Sequence, residues 1–171
     1  VEADIPYITI NPLERLNPPA GTGVMAFGST DLEKVAAYMA WMERAGVRSM
    51  VAMGEDLPYY HEYYDMFSRL SEEGRFPIKF HDYVSWPIMA PDMMVPASKA
   101  TGYNSDLIIG ATVISANIPA LFKALYELGY DGIVTGSLNV PLDENYAAAG
   151  EAAEGVYCQY EWHHTLPNPE A

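Results

Sequence analysis

Segments with the periodicity of helices alternate along most of this chain with segments that have the periodicity of strands. The first amphipathic stripe is formed by Leu32, Val35, Ala36, Met39 and Met42. Residues 30–33 have the spacing of a capping box, so we expect this helix to begin at Thr30 and to end at Gly46. The mostly apolar run 47–53 follows and is typical of a strand buried on both faces of a parallel sheet. One helix followed by one strand is therefore the unit of this sequence.

The pattern of a helix followed by a strand is repeated further along the chain. A second stripe is formed by Tyr60, Tyr63, Tyr64, Phe67 and Leu70. It ends at Gly74, and an extended segment over 78–84 follows. Residues 91–100 carry Pro96 and predict only a short or broken helix. Residues 106–113 form the most apolar strand, which we expect to lie at the centre of the sheet.

The last part of the chain keeps the same order. Asn117 is predicted to cap a helix that ends at Gly129. Its apolar face is formed by Ile118, Leu121, Phe122, Leu125 and Leu128. Strands over 132–136 and 155–160, with a short helix over 142–149 between them, complete the pattern.

Short connections between helices and strands favour right-handed crossovers and a mainly parallel sheet. The sequence therefore predicts an α/β fold, a Rossmann-like three-layer αβα domain with helices on both faces of the sheet. In such sheets ligands bind outside the carboxyl ends of the strands. The loops after Met53, Val84, Val113 and Gly136 are therefore the predicted functional sites.

Composition narrows the class of protein. With 171 residues the chain suits one domain, and 9 Lys and Arg against 23 Asp and Glu give a net charge of −14, which would repel nucleic acid. No apolar stretch approaches the roughly 18 residues of a membrane span. Cys158 is the only cysteine, so no disulfide can form within the chain. The chain opens at Val1 without the features of a targeting peptide, and we expect any such peptide to precede it.

Three of the four loops carry candidate ligand contacts. Residues 54–61 contain the carboxylates of Glu55 and Asp56 and the phenols of Tyr59 and Tyr60, whose rings could stack on a ligand. The alternative for Tyr60 is that it packs as the start of the helix stripe. Residues 110–116 offer small residues and two hydroxyls, although Ser115 could serve only as the approach to a helix. Residues 135–139 combine a glycine with polar side chains, or form a plain turn.

Catalytic and metal-binding candidates lack supporting context. Asp56 with His61 or Glu62 belongs to no recognisable catalytic motif, and the chain has no phosphate-binding glycine loop and no nucleophile elbow. His163 and His164 are adjacent, so in an extended segment they point to opposite faces. The nine methionines are interpreted as core packing. We therefore predict no enzyme activity, no metal site and no cofactor.

Several segments resemble one protein family in the same order along the chain. Residues 149–157, Ala-Gly-Glu-Ala-Ala-Glu-Gly-Val-Tyr, resemble the segment that ends the second lobe of type 1 periplasmic binding proteins, the branched-chain amino-acid receptor family of ABC importers. Residues 121–136 resemble its helix, Leu-Gly, strand, Gly-Ser passage. Residues 56–60 resemble its Asp-x-x-Tyr-Gly loop, and residues 5–8 resemble the strand that ends its first lobe.

The resemblance implies a two-lobed receptor about twice this size, located in the periplasm or otherwise outside the cytoplasm. It would bind a small-molecule ligand and pass it to an ABC permease in the membrane. Residues 1–28 would then be the end of the first lobe and a crossover segment, 29–158 the second lobe, and 159–171 the return crossover. The isolated lobe is expected to self-associate through exposed rings near Tyr59 and Tyr60.

The resemblance also implies the ligand-binding residues, carried over position by position: Asp56, Tyr59, Tyr60, Thr112, Val113, Ile114, Ser137, Leu138 and Asn139. The chain departs from the family at His61, where a glycine usually follows the pocket tyrosine. It departs again at Leu138 or Asn139, near the acidic residue that binds a ligand's ammonium group. These departures favour an aromatic or other apolar carboxylate over an amino acid. A ligand-sensing regulatory domain of the same fold is the alternative function, and a Rossmann-like enzyme ranks below both.

Overall fold

The computed structural model describes residues 7–9, 24–26, 31–90, 92–112, 114, 116–136 and 143–158. The chain divides into two compact units, Val1–Trp41 with Glu161–Ala171, and Met42–Tyr160. In the first unit, β1 (Tyr7–Thr9) pairs in parallel with β2 (Val24–Ala26). Helix α1 (Asp31–Arg44) begins in this unit, and Val35 and Met42 of the predicted stripe are buried while Ala36 is exposed.

The second unit contains the repeated helix–strand pattern. Its elements are β3 (Ser49–Glu55), α2 (Pro58–Glu72), β4 (Lys79–Trp86), α3 (Met94–Thr101), β5 (Leu107–Ala111), α4 (Asn117–Glu127), β6 (Ile133–Gly136), α5 (Asp143–Ala149), a 3₁₀ turn (Gly150–Ala153) and β7 (Tyr157–Cys158). The five strands form one parallel sheet in the order β4-β3-β5-β6-β7. The predicted α/β fold with a mainly parallel sheet is confirmed.

Strand β5 lies at the centre of the sheet, as its composition predicts. All five of its residues are buried, and it pairs with β3 on one side and β6 on the other. In β3, Met50 to Glu55 are buried as well. A strand covered on both faces has no exposed position for a polar side chain, which explains the near-continuous apolar runs.

The helices lie in two layers because right-handed crossovers change face when the strand order reverses. Helices α3 and α4 cover one face, where Ala97 and Leu121 join a core cluster with Val51 and Ile108. Helix α2 packs on the other face through the rings of Tyr64 and Phe67, which lie 6.5 Å from the ring of Phe80.

Helix α2 follows directly from its sequence. Pro58 stands in the first turn, where the missing N–H costs no hydrogen bond. The five residues of its predicted stripe are all buried. Gly74 has φ of 66°, a left-handed conformation that suits glycine, and the helix ends there as expected.

Helix α3 is continuous despite Pro96. The proline is the third residue of the helix and is buried, so its missing N–H falls among the groups of the first turn that have no partner within a helix. Of the two predicted alternatives, a short or a broken helix, the structure shows a short one of eight residues. The position of a proline, more than its presence, decides whether a helix forms.

Asn117 does not cap α4. The capping position is Ala116, without a side-chain cap, and the Asn117 amide instead donates to the Glu55 carboxylate at 3.3 Å. Leu128 lies just after this helix and is exposed, so it does not belong to the buried face. Thr30 and residues 159–160 lie outside the described residues. Among the helices of the described ranges, none is long and apolar enough to cross a membrane.

Gly54 allows two neighbouring strands to approach closely. A Cβ atom there would lie 2.6 Å from Tyr83 Oη and 2.7 Å from the Ala111 carbonyl oxygen. The carbonyl belongs to the β5 backbone and cannot move without loss of ladder hydrogen bonds. We expect Gly54→Ala to lower the free energy of unfolding by about 1–3 kcal/mol, measured by urea denaturation.

The control is Gly102→Ala, at a residue with φ of −60° that any amino acid adopts. Its Cβ would lie 3.3 Å from the nearest heavy atom, Lys99 O. The free energy should change by less than about 1 kcal/mol. Equal effects of the two substitutions would contradict the close approach at Gly54.

Asp106 fastens the amino ends of β3 and β5. Its Oδ2 accepts hydrogen bonds from Arg48 N at 2.9 Å, Ser49 N at 3.0 Å and Ser49 Oγ at 3.1 Å. The pKa of Asp106 is lowered, first by the hydrogen bond from the Arg48 backbone and then by those from Ser49, against the effect of burial. Because the pKa of Asp106 is lower in the folded chain, ionisation of its carboxyl group stabilises the fold at pH values above the unfolded-state pKa of about 4. This stabilisation is lost as the pH falls through the lower pKa of the folded state.

Asp106→Asn should therefore lower the free energy of unfolding by about 1 kcal/mol near pH 7, because an amide accepts these hydrogen bonds less strongly than a carboxylate. The difference from wild type should narrow below about pH 4, as measured by urea denaturation across the pH range. Asp131→Asn, at an exposed neighbour, serves as the control. A difference for Asp106→Asn that is independent of pH would contradict the role of its charge.

Candidate functional site

The strand order reverses at β3. The next strand along the chain, β4, lies on one side of β3, and the strand after it, β5, lies on the other. At such a switch point the two connections leave in opposite directions and open a crevice at the carboxyl ends of the strands. This switch point lies where β3 ends at Glu55 and β5 ends at Ala111.

Glu55 is a fully buried carboxylate at this switch point. Its Oε1 accepts hydrogen bonds from the Thr112 hydroxyl, from Ile114 N at 3.4 Å and from Asn117 Nδ2 at 3.3 Å. These donors belong to the connection between β5 and α4 and to the first residue of α4. The carboxylate therefore joins the end of β3 to Thr112, Ile114 and Asn117.

Thr112 is buried and serves this connection in a second way. Its hydroxyl oxygen accepts a hydrogen bond from Ile114 N at 3.0 Å, a local turn typical of threonine. The predicted contact loop is thus held from within, by Thr112, and from the neighbouring strand, by Glu55. Thr112 and Ile114 are the predicted ligand contacts of this loop that the structure describes. Of the two, only Ile114 is partly exposed at the surface.

The loop before α2 carries the second part of the site. Asp56 N donates to Trp86 O at 2.7 Å, and the Asp56 carboxylate lies 2.7 Å from His61 Nε2. The side chains of this pair are 67% and 44% exposed, so the pair contributes little to stability. Its position leaves the Asp56 carboxylate open to solvent.

The two predicted tyrosines of this loop differ in exposure. Tyr59 is 41% exposed, whereas Tyr60 is 8% exposed, with ring centroids 5.3 Å apart. Burial raises the pKa of Tyr60, and the charge of Glu55 adds to the increase. The expectation that both rings are exposed is therefore wrong for Tyr60, which packs as the first residue of the α2 stripe.

Tyr83 supports the switch point from β4. Its hydroxyl donates to the Glu55 carbonyl oxygen at 2.6 Å, and its ring stacks on Tyr64 at 5.0 Å and meets the His61 ring edge-on at 4.9 Å. Burial raises the pKa of Tyr83, with further contributions from Tyr60 and Glu55. Both phenols consequently stay neutral hydrogen-bond donors.

The structure brings five of the predicted ligand-binding residues to the carboxyl edge of β3 and β5: Asp56, Tyr59, Tyr60, Thr112 and Ile114. Val113, Ser137, Leu138 and Asn139 lie outside the described residues. Sequence reasoning noted Glu55 only as one of two loop carboxylates and missed Tyr83. The available signal was an acidic residue at the end of an otherwise apolar strand run.

Two further features of the described residues bear on the chemistry of this unit. Across the described ranges, no group of three or more His, Cys, Asp or Glu side chains could hold a metal ion. His163 and His164 lie outside those ranges. A groove of about 660 Å³ runs between α4 and α5, lined by small side chains with Lys123 and Glu144 at its rim. The absence of a metal or cofactor remains a prediction.

Comparisons with known proteins agree with this geometry. The sequence profile of a family described as periplasmic binding protein matches residues 1–171. No curated protein matches the chain in sequence at a significant level. Solved structures, in contrast, match over most of the chain.

Three of these structures illustrate the similarity. The leucine binding protein LivK of Thermotoga maritima is 18% identical with a TM-score of 0.79, over 98% of this chain and 48% of that one. An ABC transporter solute binding protein of Rhodopseudomonas palustris, solved with 4-hydroxybenzoate, is 15% identical with a TM-score of 0.75, over 99% and 46%. A fatty acid ABC transporter substrate-binding protein of Thermomonospora curvata is 13% identical with a TM-score of 0.65, over 79% and 35%.

The chain spans less than half the length of each of these structures. At such low identity the similarity shows a shared fold, and the match to the family profile shows descent. Together they confirm what the sequence motifs indicate. This chain belongs to the periplasmic binding protein family.

Proposed function

We propose that this chain forms most of one lobe of an extracytoplasmic solute-binding protein, which delivers a small organic ligand to an ABC importer. The observation that carries the proposal is the carboxyl edge of β3 and β5 at the switch point, which holds the partly exposed ring of Tyr59 and the internally braced loop after β5. Apolar surface with a few oriented polar groups is typical of small-molecule sites.

The ligand class follows from the residues around the crevice. Tyr59 offers a partly exposed ring and Ile114 a partly buried aliphatic side chain. Both suit an apolar body better than a sugar or a nucleotide. We propose an aromatic or otherwise apolar carboxylate or an amino acid, in keeping with the leucine, 4-hydroxybenzoate and fatty acid named for the similar structures.

The proposed contact residues divide by their exposure. Asp56, Tyr59 and Ile114 reach the surface, and we propose that they touch the ligand, together with Val113, Ser137, Leu138 and Asn139. Tyr60 and Thr112 are buried, and their part is to hold the neighbouring backbone in place. The ligand would lie between this edge and a second lobe.

In this proposal, transport depends on closure of the two lobes around the ligand. A ligand that contacts both lobes stabilises the closed state in proportion to its preference for that state, and the permease recognises the closed form. We propose that residues 1–28 are the end of the first lobe and a crossover segment, that residues 29–158 form the second lobe, and that residues 159–171 are the return crossover segment. The protein performs no covalent chemistry in this scheme, and the exposed Tyr59 ring would favour self-association of an isolated lobe.

The full-length gene product should be stabilised by a ligand of the proposed class. A thermal-shift screen with leucine, phenylalanine, 4-hydroxybenzoate and octanoate should give one class of hits, because a ligand at a hundred times its Kd stabilises the folded state by about 2.7 kcal/mol. Absence of any hit among amino acids and apolar carboxylates would contradict the proposed ligand class.

Tyr59→Ala should weaken binding of the ligand so identified by about tenfold, since an aromatic contact is worth about 1 kcal/mol beyond its buried area. The matched control is Tyr126→Ala, which removes another exposed tyrosine near the far end of α4. Isothermal titration calorimetry measures both. Equal losses of affinity would show that Tyr59 does not contact the ligand.

A further inference from the structure

We infer that Met89 is a site of reversible oxidation, at which a peroxide converts the thioether to a sulfoxide and a thiol-dependent reductase restores it. The residue lies in the connection between β4 and α3, outside the proposed ligand contacts. The inference therefore goes beyond the proposed function and does not depend on the identity of the ligand.

Met89 differs from the other methionines in its exposure. It is 83% exposed, whereas Met93, four residues later, is 3% exposed and Met42, Met50 and Met53 are fully buried. Among the methionines whose side chains the structure describes, Met89 alone is exposed. The interpretation of the methionines as core packing is therefore wrong for Met89, whose thioether meets solvent directly.

The chain on both sides of Met89 is anchored in the core. Trp86 before it and Met93 after it belong to one buried cluster, and Ala90 packs against that cluster. Met89 does not belong to it, and its neighbour Ile88 is also exposed. A sulfoxide oxygen at Met89 would therefore be hydrated by solvent and would disturb no core contact, which distinguishes this position from a methionine in the core.

The oxidation needs a peroxide and no catalytic group of the protein. A lone pair of Met89 Sδ attacks one oxygen of hydrogen peroxide, the O–O bond breaks, and hydroxide leaves. The hydroxide takes the proton from the new S–OH group, so the products are the sulfoxide and water. Sulfur has lost two electrons and the peroxide has gained them. In the return step two thiols of the reductase become a disulfide, and the sulfoxide oxygen leaves as water.

Cys158 carries the other sulfur group that a peroxide could attack. It is the only cysteine of the chain, and its Sγ lies 3.0 Å from the Tyr146 hydroxyl. Burial raises the pKa of the Cys158 thiol, which lowers the fraction of thiolate, the form that reacts with peroxide. Met89 is thus the most exposed sulfur-bearing side chain of the described residues, beside a thiol of reduced reactivity.

The test treats the folded, full-length protein with hydrogen peroxide and follows sulfoxide formation by mass spectrometry. The tryptic peptide 80–99 contains Met89, Met93 and Met94, so its fragment ions compare the three in one molecule. We expect Met89 to be oxidised at least about tenfold faster than Met93, which reacts only when local unfolding exposes it. In denaturing urea the two rates should agree within about twofold, because exposure no longer differs.

Two matched variants locate the reaction. Met89→Leu removes the thioether and keeps an apolar side chain of similar size, and Met93→Leu does the same at the buried position. After brief treatment, peptide 80–99 should gain one oxygen atom in wild type and in Met93→Leu but not in Met89→Leu. Thiol-dependent reductases for the two sulfoxide epimers should then remove this oxygen from the folded protein.

Stability gives a second measurement. The melting temperature of treated wild type should agree within about 2 °C with that of Met89→Leu treated in the same way, because changes at an exposed side chain have little effect on stability. A larger decrease in treated wild type would contradict a site outside the core. The inference is also overturned if Met89 is oxidised no faster than Met93 in the folded protein, or if the reductases act only after unfolding.

Discussion

The pairing of β3 with β5 is the contact on which the rest of this domain depends. At each end of this pair, a carboxylate from one segment accepts hydrogen bonds from the other. At the amino end Asp106 accepts hydrogen bonds from the backbone of Arg48 and Ser49, and at the carboxyl end Glu55 accepts them from the connection that follows β5. Between the two, Gly54 lets the backbones approach. Because the register of this pair is held at both ends, the neighbouring strands and the loops that follow them take fixed positions.

The reversal of strand order at this pair also distributes the helices. Right-handed crossovers in opposite directions send α2 to one face and α3 and α4 to the other, so the sheet is buried on both sides. Because Glu55 is buried away from water, its carboxylate must accept hydrogen bonds from protein donors. The hydrogen bonds that satisfy Glu55 also hold the connection after β5 in place.

Much of the fold could be predicted from the sequence because burial on both faces leaves a clear pattern. The stripe of α2, the apolar run of β5 and the glycine at position 74 each follow from one local rule, and all three are confirmed. Long-range contacts left no such pattern. Asn117 looked like a helix cap, yet its partner is a residue 62 positions away. The sequence left open whether Tyr60 contacts a ligand or packs within its helix stripe, and in the structure it packs. The hydroxyl of Tyr83 reaches the Glu55 backbone from the neighbouring strand β4, a contact that no spacing reveals.

Strand β4 shows how the sheet ends. It is eight residues long and lies at the margin of the sheet, with no strand of the described segments beyond it. Such a margin offers free backbone groups to any passing chain. Here the strand carries Lys79, His81 and Asp82, and Asp82 is held by the Tyr103 hydroxyl at 2.7 Å and by Lys99 at 2.9 Å. Charge placed along the border makes the addition of a foreign strand, and with it growth into fibres, unfavourable.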